Sequence, residues 1–234
     1  MGPVKSLFVG GFYMKKCTAF FFSIMGLILV FACYGCTEDQ TFTARRYVPE
    51  SEVQSIVIDV SDREVEVCAS DREEIVISYY ESEKEYYDIS VSEGGELSMR
   101  LSLDRDWTDY VGTKPAQEYR KIKVEIPNRL LSGLTVKTTN ESIHVSPLSE
   151  FASVSLESNG GNVEFEKLSV GESLTVTAKN GNIIGSVIGG WDDFSISCEI
   201  KKGESNLPEN KTGGDKTLAA SCNNGDIQID FVEK

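Results

Sequence analysis

The chain has 234 residues, a formal net charge of −14 at pH 7 and a single histidine. Its length allows one domain or two small ones, and its acidic balance argues against a nucleic-acid partner, because phosphate binding needs a basic face. A single imidazole also excludes the common zinc hydrolase patterns, which need several.

The first 36 residues have the pattern of a secretory signal. The Lys15-Lys16 pair stands directly before a run without charged residues over 18–35. A basic start, an apolar run and a small residue before the cleavage site are typical of such signals. Counted from Met14 the segment has the usual length, so Met14 is a candidate for the true start. The alternative is an uncleaved anchor helix, since the run approaches the ~20 residues that span a bilayer.

The end of this run resembles the bacterial lipobox, in which a cysteine after a small residue is lipidated. Cys33 follows Ala32 and is the favoured lipidation site, whereas Cys36 is the alternative because an acidic stretch follows it. Several acyl chains hold a protein at a membrane where one would not. We therefore expect a lipid-anchored protein of the cell envelope, at the outer membrane or cell surface of a Gram-negative bacterium. The polar residues 37–50 are predicted to be a tether.

Residues 51–234 are predicted to form one all-β body, because an alternating apolar pattern recurs along them. Five such segments, the first four spaced by 20 residues, begin at Leu134, Val154, Leu174, Phe194 and Leu218. Asn and Gly, which tolerate positive φ at tight reversals, follow most of them. Asn-Gly between strands usually indicates a hairpin, but a constant period favours parallel coils stacked in register.

The prediction is therefore a β-solenoid, a single-stranded β-helix-like stack with coils of about 20 residues. Regular coils are expected over 127–234, with a less regular N-terminal β region over 51–126 that acts as a cap. Asn162, Asn182 and Asp226 share one turn position, which predicts a side-chain ladder along the stack. The longer segment 199–215 interrupts the fourth coil and is expected to be a protruding loop.

Three motifs make the family resemblance specific: IxIDVSDxEVEV from Ile56, YRKIKVEIP over 119–127, and the repeated LxVxxxNGNI, complete at Leu174. They resemble the bacterial putative-adhesin family, whose members are secreted or lipid-anchored β-solenoid proteins. The resemblance covers roughly residues 53–231. It implies a surface-binding role, but it names no ligand and carries no binding residue over to this chain.

Candidate catalytic groups are sparse, and no catalytic residue, metal site or cofactor is predicted. His144 alternates with two apolar neighbours and should face solvent. Asp192, Asp193, Asp226 and Asp230 are the acids that could act as paired carboxylates on a polysaccharide. The calcium-binding repeat G-G-x-G-x-D is not matched at the turns.

Aromatic residues beside acids provide the candidate binding surface, which comprises Tyr79, Tyr80, Tyr86, Trp107 and Tyr110. The stretch 104–117 is the first choice for a site. The alternative is that one tyrosine of each pair belongs to the core and that Trp107 closes the end of the stack.

Cys198 and Cys222 occupy the same position in their repeats and are a candidate disulfide in an oxidising envelope. The alternative is two buried, stacked small residues, because in-register neighbours on parallel strands meet disulfide geometry poorly.

Three functions remain open from the sequence. The favoured one is a non-catalytic envelope lipoprotein, attached to the membrane by its anchor, that presents a surface to an envelope protein or a glycan. The second is a β-helical enzyme that acts on polysaccharide. The third is a regulatory partner of a membrane protein in envelope stress.

Overall fold

The computed structural model describes residues 41–104, 114–129, 131–148 and 151–233, and these residues form β-strands and two short 3₁₀ turns. In this part of the chain the strands are β1 Thr43–Tyr47, β2 Ser55–Asp59, β3 Glu64–Ser70, β4 Val76–Glu81, β5 Glu85–Val91, β6 Glu96–Leu103, β7 Lys121–Pro127, β8 Leu131–Thr138, β9 Ile143–Val145, β10 Phe151–Ser158, β11 Val163–Leu168, β12 Val170–Asn180, β13 Ile183–Ile188, β14 Phe194–Lys202, β15 Asn210–Lys211, β16 Lys216–Asn224 and β17 Ile227–Val232. The 3₁₀ turns span Gln117–Arg120 and Trp191–Asp193. No helix in these ranges is long and apolar enough to cross a membrane.

The strands form two mixed sheets around one hydrophobic core. Sheet A has the order β1-β4-β7-β3-β9-β11-β13-β17, and sheet B has the order β15-β14-β16-β12-β10-β8-β2-β6-β5. Strand alternation places every second side chain inward, so that residues of both sheets, such as Val136 and Ile143, meet in the core. The all-β prediction is confirmed.

The 20-residue period corresponds to parallel pairing between successive repeats. Leu134 of β8 lies beside Val154 of β10, which in turn lies beside Leu174 of β12. In sheet A, Ile143 pairs with Val163 in the same way. Each repeat thus gives one strand to each sheet, and the hairpin alternative is wrong for these strands.

The repeats do not stack in the order of the sequence at the C-terminal end. Strand β16 lies between β12 and β14, so the Phe194 repeat is outermost and the later Leu218 repeat is inside it. The two segments carry the same alternating pattern, which therefore cannot distinguish their order. The connection 203–215 is long enough to allow the exchange.

This connection is not the protruding loop that the sequence predicted. Strand β15 pairs antiparallel with β14, and Ser205 bridges to Ile227 at the start of β17. The segment therefore folds back over the open end of both sheets and covers their last strands, which is how natural proteins protect sheet edges.

The N-terminal half extends the stack and then closes it. Ile56 of β2 continues the row of Leu134, and Val65 of β3 continues the row of Ile143. Strands β6 and β7 add one further parallel layer, and the antiparallel strands β5, β4 and β1 finish the sheets. The antiparallel strands lie at the end of the stack, whereas β2, β3, β6 and β7, which the sequence analysis placed in the less regular part, are parallel layers like those that follow.

The predicted tether over 37–50 is wrong in part. Thr43–Tyr47 is strand β1, which pairs with β4, and Tyr47 packs against the core. The polar residues of this segment are accommodated because Arg45 binds Glu81 (2.7 Å) and Arg46 faces outward. More and less exposed side chains alternate along it, as in an edge strand. Residues 1–40 lie outside the described residues.

Candidate functional site

A ladder of side-chain hydrogen bonds fixes one corner of the stack. Each side-chain oxygen accepts the backbone N–H of the equivalent residue in the next layer: Ser142 Oγ from Asn162 (3.1 Å), Asn162 Oδ1 from Asn182 (2.9 Å), Asn182 Oδ1 from Asp226 (2.9 Å) and Asp226 Oδ1 from Glu204 (2.9 Å). The predicted ladder is confirmed. It satisfies turn amides that regular strand pairing would leave free, and so makes the corner rigid.

The same corner needs glycine because successive layers approach closely. A Cβ on Gly181 would overlap the carbonyl of Gly161, and one on Gly225 would overlap that of Gly181. These glycines explain why the turns keep the Asn-Gly pattern.

The opposite corner, between β13 and β14, presents an aromatic side chain instead. Gly189 has a φ of +141°, which turns the chain into the 3₁₀ turn Trp191–Asp193. Asp193 Oδ2 accepts the backbone N–H of Gly190 (2.9 Å) and closes this turn. The Gly-Gly-Trp-Asp-Asp sequence thus builds a short, hydrogen-bonded corner that carries Trp191.

Two neighbouring side chains contact Trp191, and its ring remains partly exposed. Its ring packs edge-on against Phe231 (centroids 5.2 Å apart), and the Lys211 ammonium lies 5.6 Å from the ring centre. Lys211 Nζ also donates to the carbonyl of Phe194 (2.8 Å), which holds it there. The Trp191 residue remains 42% exposed, and the neighbouring Asp192 side chain is 98% exposed.

A shallow hollow of about 320 Å³ lies on the outer face of sheet B beside this corner. The surface that it exposes is mainly apolar, and Ile196, Leu218 and Ala219 belong to its lining. Its lining also includes residues with polar side chains from β14, β15, β16 and the segment after β15: Ser195, Ser197, Asn210, Lys211, Thr212 and Thr217. Lys211 belongs to both the hollow and the surroundings of Trp191. Hydroxyls, one amide and an exposed indole therefore meet at the end of the stack.

The tyrosines predicted as one binding surface point in three directions. Tyr79 faces inward against Tyr87, Tyr80 packs against Tyr119 on sheet A, and Tyr86 is exposed on edge strand β5 of sheet B. Burial, together with the nearby Glu81 carboxylate, raises the pKa of Tyr79 to about 12. The structure agrees better with the alternative in which one tyrosine of each pair belongs to the core: Tyr79 of the pair 79/80 and Tyr87 of the pair 86/87.

Trp107 and Tyr110 lie outside the described residues, as do Cys33 and Cys36. Trp191, which the structure places at an open corner, was missed by the sequence argument. Its signal was the Gly189-Gly190 pair before an aromatic residue, where an exposed corner is expected.

The candidate carboxylates are not assembled into a pair. Asp226 precedes β17, whereas Asp192 and Asp193 follow the neighbouring parallel strand β13. A six-residue strand separates the two corners by about 20 Å, compared with the roughly 5–10 Å that glycoside hydrolysis needs. Asp226 Oδ1 is also used by the ladder, and Asp230 lies near the Asn206 amide (3.4 Å).

His144 faces solvent on sheet A, as predicted, with Nδ1 3.3 Å from Glu164 Oε2. In the described ranges no group of three or more His, Cys, Asp and Glu side chains is placed to hold a metal ion.

The candidate disulfide partners do not share a register. Cys198 lies opposite Ala220, and Cys222 lies opposite Ile200, a shift of two residues between β14 and β16. This offset separates the two Cα atoms by about 8 Å, beyond the ~7 Å that a disulfide spans. Both cysteines are buried free thiols, and burial raises the pKa of the Cys222 thiol.

A buried ion pair at the N-terminal cap was also missed. Arg63 and Glu85 are each 1% exposed, and the Arg63 guanidinium binds the Glu85 carboxylate and donates to the Tyr87 hydroxyl (2.7 Å). The Arg63 carbonyl accepts from Thr138 (2.7 Å). This network joins the corner after β2 to edge strand β5 and is a structural element of the cap.

Comparisons with known proteins agree with this architecture. The family model described as Toastrack DUF4097 matches residues 53–234. The chain is similar to the crystal structure of a putative cell adhesion protein from Clostridium sporogenes ATCC 15579, with a TM-score of 0.57 and 11% identity over 82% of this chain and 100% of that one. It is also similar to a putative adhesin from Bacteroides fragilis NCTC 9343, with a TM-score of 0.37 and 13% identity over 85% of this chain and 100% of that one. At 11% identity, the likeness to the Clostridium sporogenes protein shows the fold alone. A search of curated proteins found no match.

Proposed function

This chain belongs to the Toastrack DUF4097 family, and from that premise we propose that it is a non-catalytic, lipid-anchored protein of the cell envelope whose body is a β-solenoid with a binding surface. In a β-solenoid each turn of the chain forms one layer of the stack and gives one strand to each of the two sheets. The partner is an envelope component, either a protein or a glycan, on the same or a neighbouring cell.

The observation that carries this proposal is the distribution of rigidity and polar groups over the body. The ladder that includes Asn162 and Asn182 fixes one corner, while outward-facing side chains of β12 in sheet B and of β11 and β17 in sheet A are exposed to solvent. Among the acids considered for catalysis, Asp226 lies at the ladder corner, Asp192 and Asp193 lie at the opposite corner, and Asp230 lies within β17. A rigid body with broad exposed faces suits recognition, because little conformational entropy is lost when it binds. The likeness in fold to a putative cell adhesion protein supports the same function.

Membrane attachment is part of the proposal and depends on the lipobox. The full chain, expressed with its own signal in a Gram-negative host, should partition into detergent and incorporate labelled palmitate. Cys33→Ala should abolish both properties, and Cys36→Ala is the matched control. If Cys36→Ala alone abolishes labelling, the anchor is at Cys36; if neither variant changes labelling, the lipoprotein proposal is wrong.

Binding is tested with the same cells. Cells that express the chain should adhere to surfaces coated with isolated bacterial envelope more than cells with an empty vector do. The measurement is the number of retained cells after washing, with envelope-free surfaces as the control. Two results together would overturn the proposal in favour of the enzyme. The first is equal retention of cells with and without the chain. The second is release of reducing ends from polysaccharide by the wild type, with loss of this release in Asp226→Asn and Asp230→Asn.

A further inference from the structure

We propose that Trp191, Asp192 and the adjoining hollow on sheet B form a binding site for a neutral saccharide. The inference rests on the proposed function and names the ligand class and the site. Trp191 is one of four large apolar residues that are strongly exposed in the described part of the chain, and it is the only tryptophan among them.

The indole provides an apolar surface of the size that a sugar ring needs. A pyranose ring carries C–H groups on one face, and these pack favourably against an electron-rich aromatic surface, while its hydroxyls point to the rim. The exposed 42% of Trp191 stands next to the Asp192 side chain, which accepts hydrogen bonds at that rim. An apolar surface with an adjacent carboxylate therefore fits both parts of a sugar.

The site is preorganised. Phe231 and the Lys211 ammonium support the indole, and the hydrogen bond from Gly190 to Asp193 fixes the turn that carries it. Little ordering of side chains is then needed when a ligand binds.

The hollow extends the site beyond a single ring. The surface that it exposes is mainly apolar, and Ser197, Asn210, Thr212 and Thr217 are among the residues that line it. A second sugar unit can place its C–H groups on that surface and its hydroxyls against the polar groups of these side chains. Its wall is anchored, because Ser195 Oγ donates to the carbonyl of Gly213 (3.0 Å). A ligand of several sugar units can thus contact the indole with one unit and the hollow with another.

The charges around the site favour a neutral ligand over an anionic one. Lys211 and Lys216 are offset by Asp192 and Asp193, and Lys211 Nζ lies 3.9 Å from Asp192 Oδ1. The chain as a whole carries a net charge of −14, which repels phosphorylated or sulfated polymers.

The other exposed apolar residues lack this combination. Ile184 and Leu103 are aliphatic, and Tyr86 lies on edge strand β5 at the far end of sheet B from β14. Tyr86, with an exposure of 41%, is therefore a matched control for the removal of an exposed aromatic ring.

The test uses the full chain purified in detergent and neutral hexasaccharides as probes: maltohexaose, cellohexaose and hexa-N-acetylchitohexaose, with a sulfated oligosaccharide for comparison. Binding is measured by isothermal titration calorimetry and by tryptophan fluorescence in a Trp107→Phe background, where Trp191 is the remaining tryptophan. We expect at least one neutral probe to bind and the sulfated probe to bind more weakly. Trp191→Ala should reduce affinity at least about tenfold, because a stacked aromatic contact at a site centre is worth that much.

Matched variants separate a site from a change in folding. Trp191→Phe should keep most of the affinity, Asp192→Asn should lower it about threefold through the weaker acceptor, and Tyr86→Ala should leave it unchanged. Circular dichroism melting curves establish that each variant folds. Absence of binding by every neutral probe at millimolar concentration, or equal affinities for Trp191→Ala and Tyr86→Ala, overturns the inference.

The outcome is distinguishable from that of the adhesion test. One result is that expressing cells still adhere to envelope whose sugars periodate has destroyed but no longer adhere to protease-treated envelope. In that case the ligand is a protein, so the saccharide inference is wrong while the proposed function stands. If a neutral probe binds through Trp191 but expressing cells gain no adherence, the site is supported and the proposed function fails.

Discussion

The side chain of Asn206 pairs with the backbone of Ile229 in the manner of a neighbouring strand. Asn206 Nδ2 donates to the Ile229 carbonyl (2.9 Å), and Asn206 Oδ1 accepts from the Ile229 N–H (3.0 Å). Ile229 lies in β17, the last strand of sheet A. Without Asn206, the free N–H and C=O groups of this edge strand would be a template for pairing with another chain.

Removal of this amide should therefore expose the edge of β17. We expect Asn206→Ala to lower the free energy of unfolding by about 1–2 kcal/mol, since the exposed Asn206 side chain makes two hydrogen bonds to the backbone of the buried Ile229 and both are lost. It should also increase self-association, measured by light scattering after size-exclusion chromatography. Asn206→Asp puts a carboxylate oxygen in place of the donor, facing the Ile229 carbonyl and the Asp230 carboxylate, and should lose at least as much stability as Asn206→Ala. A variant Asn206→Ala that is as stable and monodisperse as the wild type would show that the pairing does not protect the edge.

The corner glycines give a second prediction. Gly181→Ala should cost about 1–3 kcal/mol, because its Cβ would overlap the Gly161 carbonyl and the layers would have to separate. Gly133→Ala is the control: its Cβ would make ordinary contacts at 3.7 Å and 3.8 Å, so stability should stay equal or rise slightly. Urea denaturation followed by circular dichroism measures both. Similar losses for the two variants would contradict close packing at the corner.

The periodic features of the fold could be predicted from the sequence, and the non-periodic ones could not. The rows of Leu134, Val154 and Leu174 recur at a fixed spacing, and strand alternation converts that spacing directly into register. The order of the Phe194 and Leu218 repeats could not be predicted, since both present the same pattern to any neighbour. Nor could the two-residue shift between β14 and β16 that separates Cys198 from Cys222.

The features that the sequence argument missed are non-periodic or distant along the chain. Arg63 sits in a polar turn, and its burial depends on Glu85, 22 residues away, which no local pattern indicates. Trp191 lies at a corner, where the two-residue period ends and the direction of a side chain is set by the turn. The ladder at Asn162 and Asn182 was predictable because it repeats with the layers.

The Arg63–Glu85 pair should be essential to the cap. Glu85→Gln keeps the shape of the side chain but leaves the buried guanidinium without a countercharge, so we expect a loss of about 3–5 kcal/mol in unfolding free energy. Glu81→Gln, in the more exposed pair with Arg45, should cost less than about 1 kcal/mol. Guanidinium denaturation compares them. Equal effects of the two variants would mean that Arg63 is solvated, contrary to its 1% exposure.

Tyr79 should make the protein sensitive to alkaline pH. Its pKa is raised to about 12, mainly by burial and also by Glu81, so the folded chain holds the phenolic proton more tightly than the unfolded chain. The corresponding stability is fully present below about pH 10, where both states are protonated, and is lost as the pH rises towards 12. Tyr79→Phe removes this ionisable group, so its urea midpoint should fall less steeply than that of the wild type between pH 10 and 12. Absorbance at 295 nm should show one fewer tyrosinate forming in the upper part of that range. If Tyr79→Phe follows the same pH dependence as the wild type, the hydroxyl at Tyr79 ionises freely and does not face the core as the contact with Tyr87 indicates.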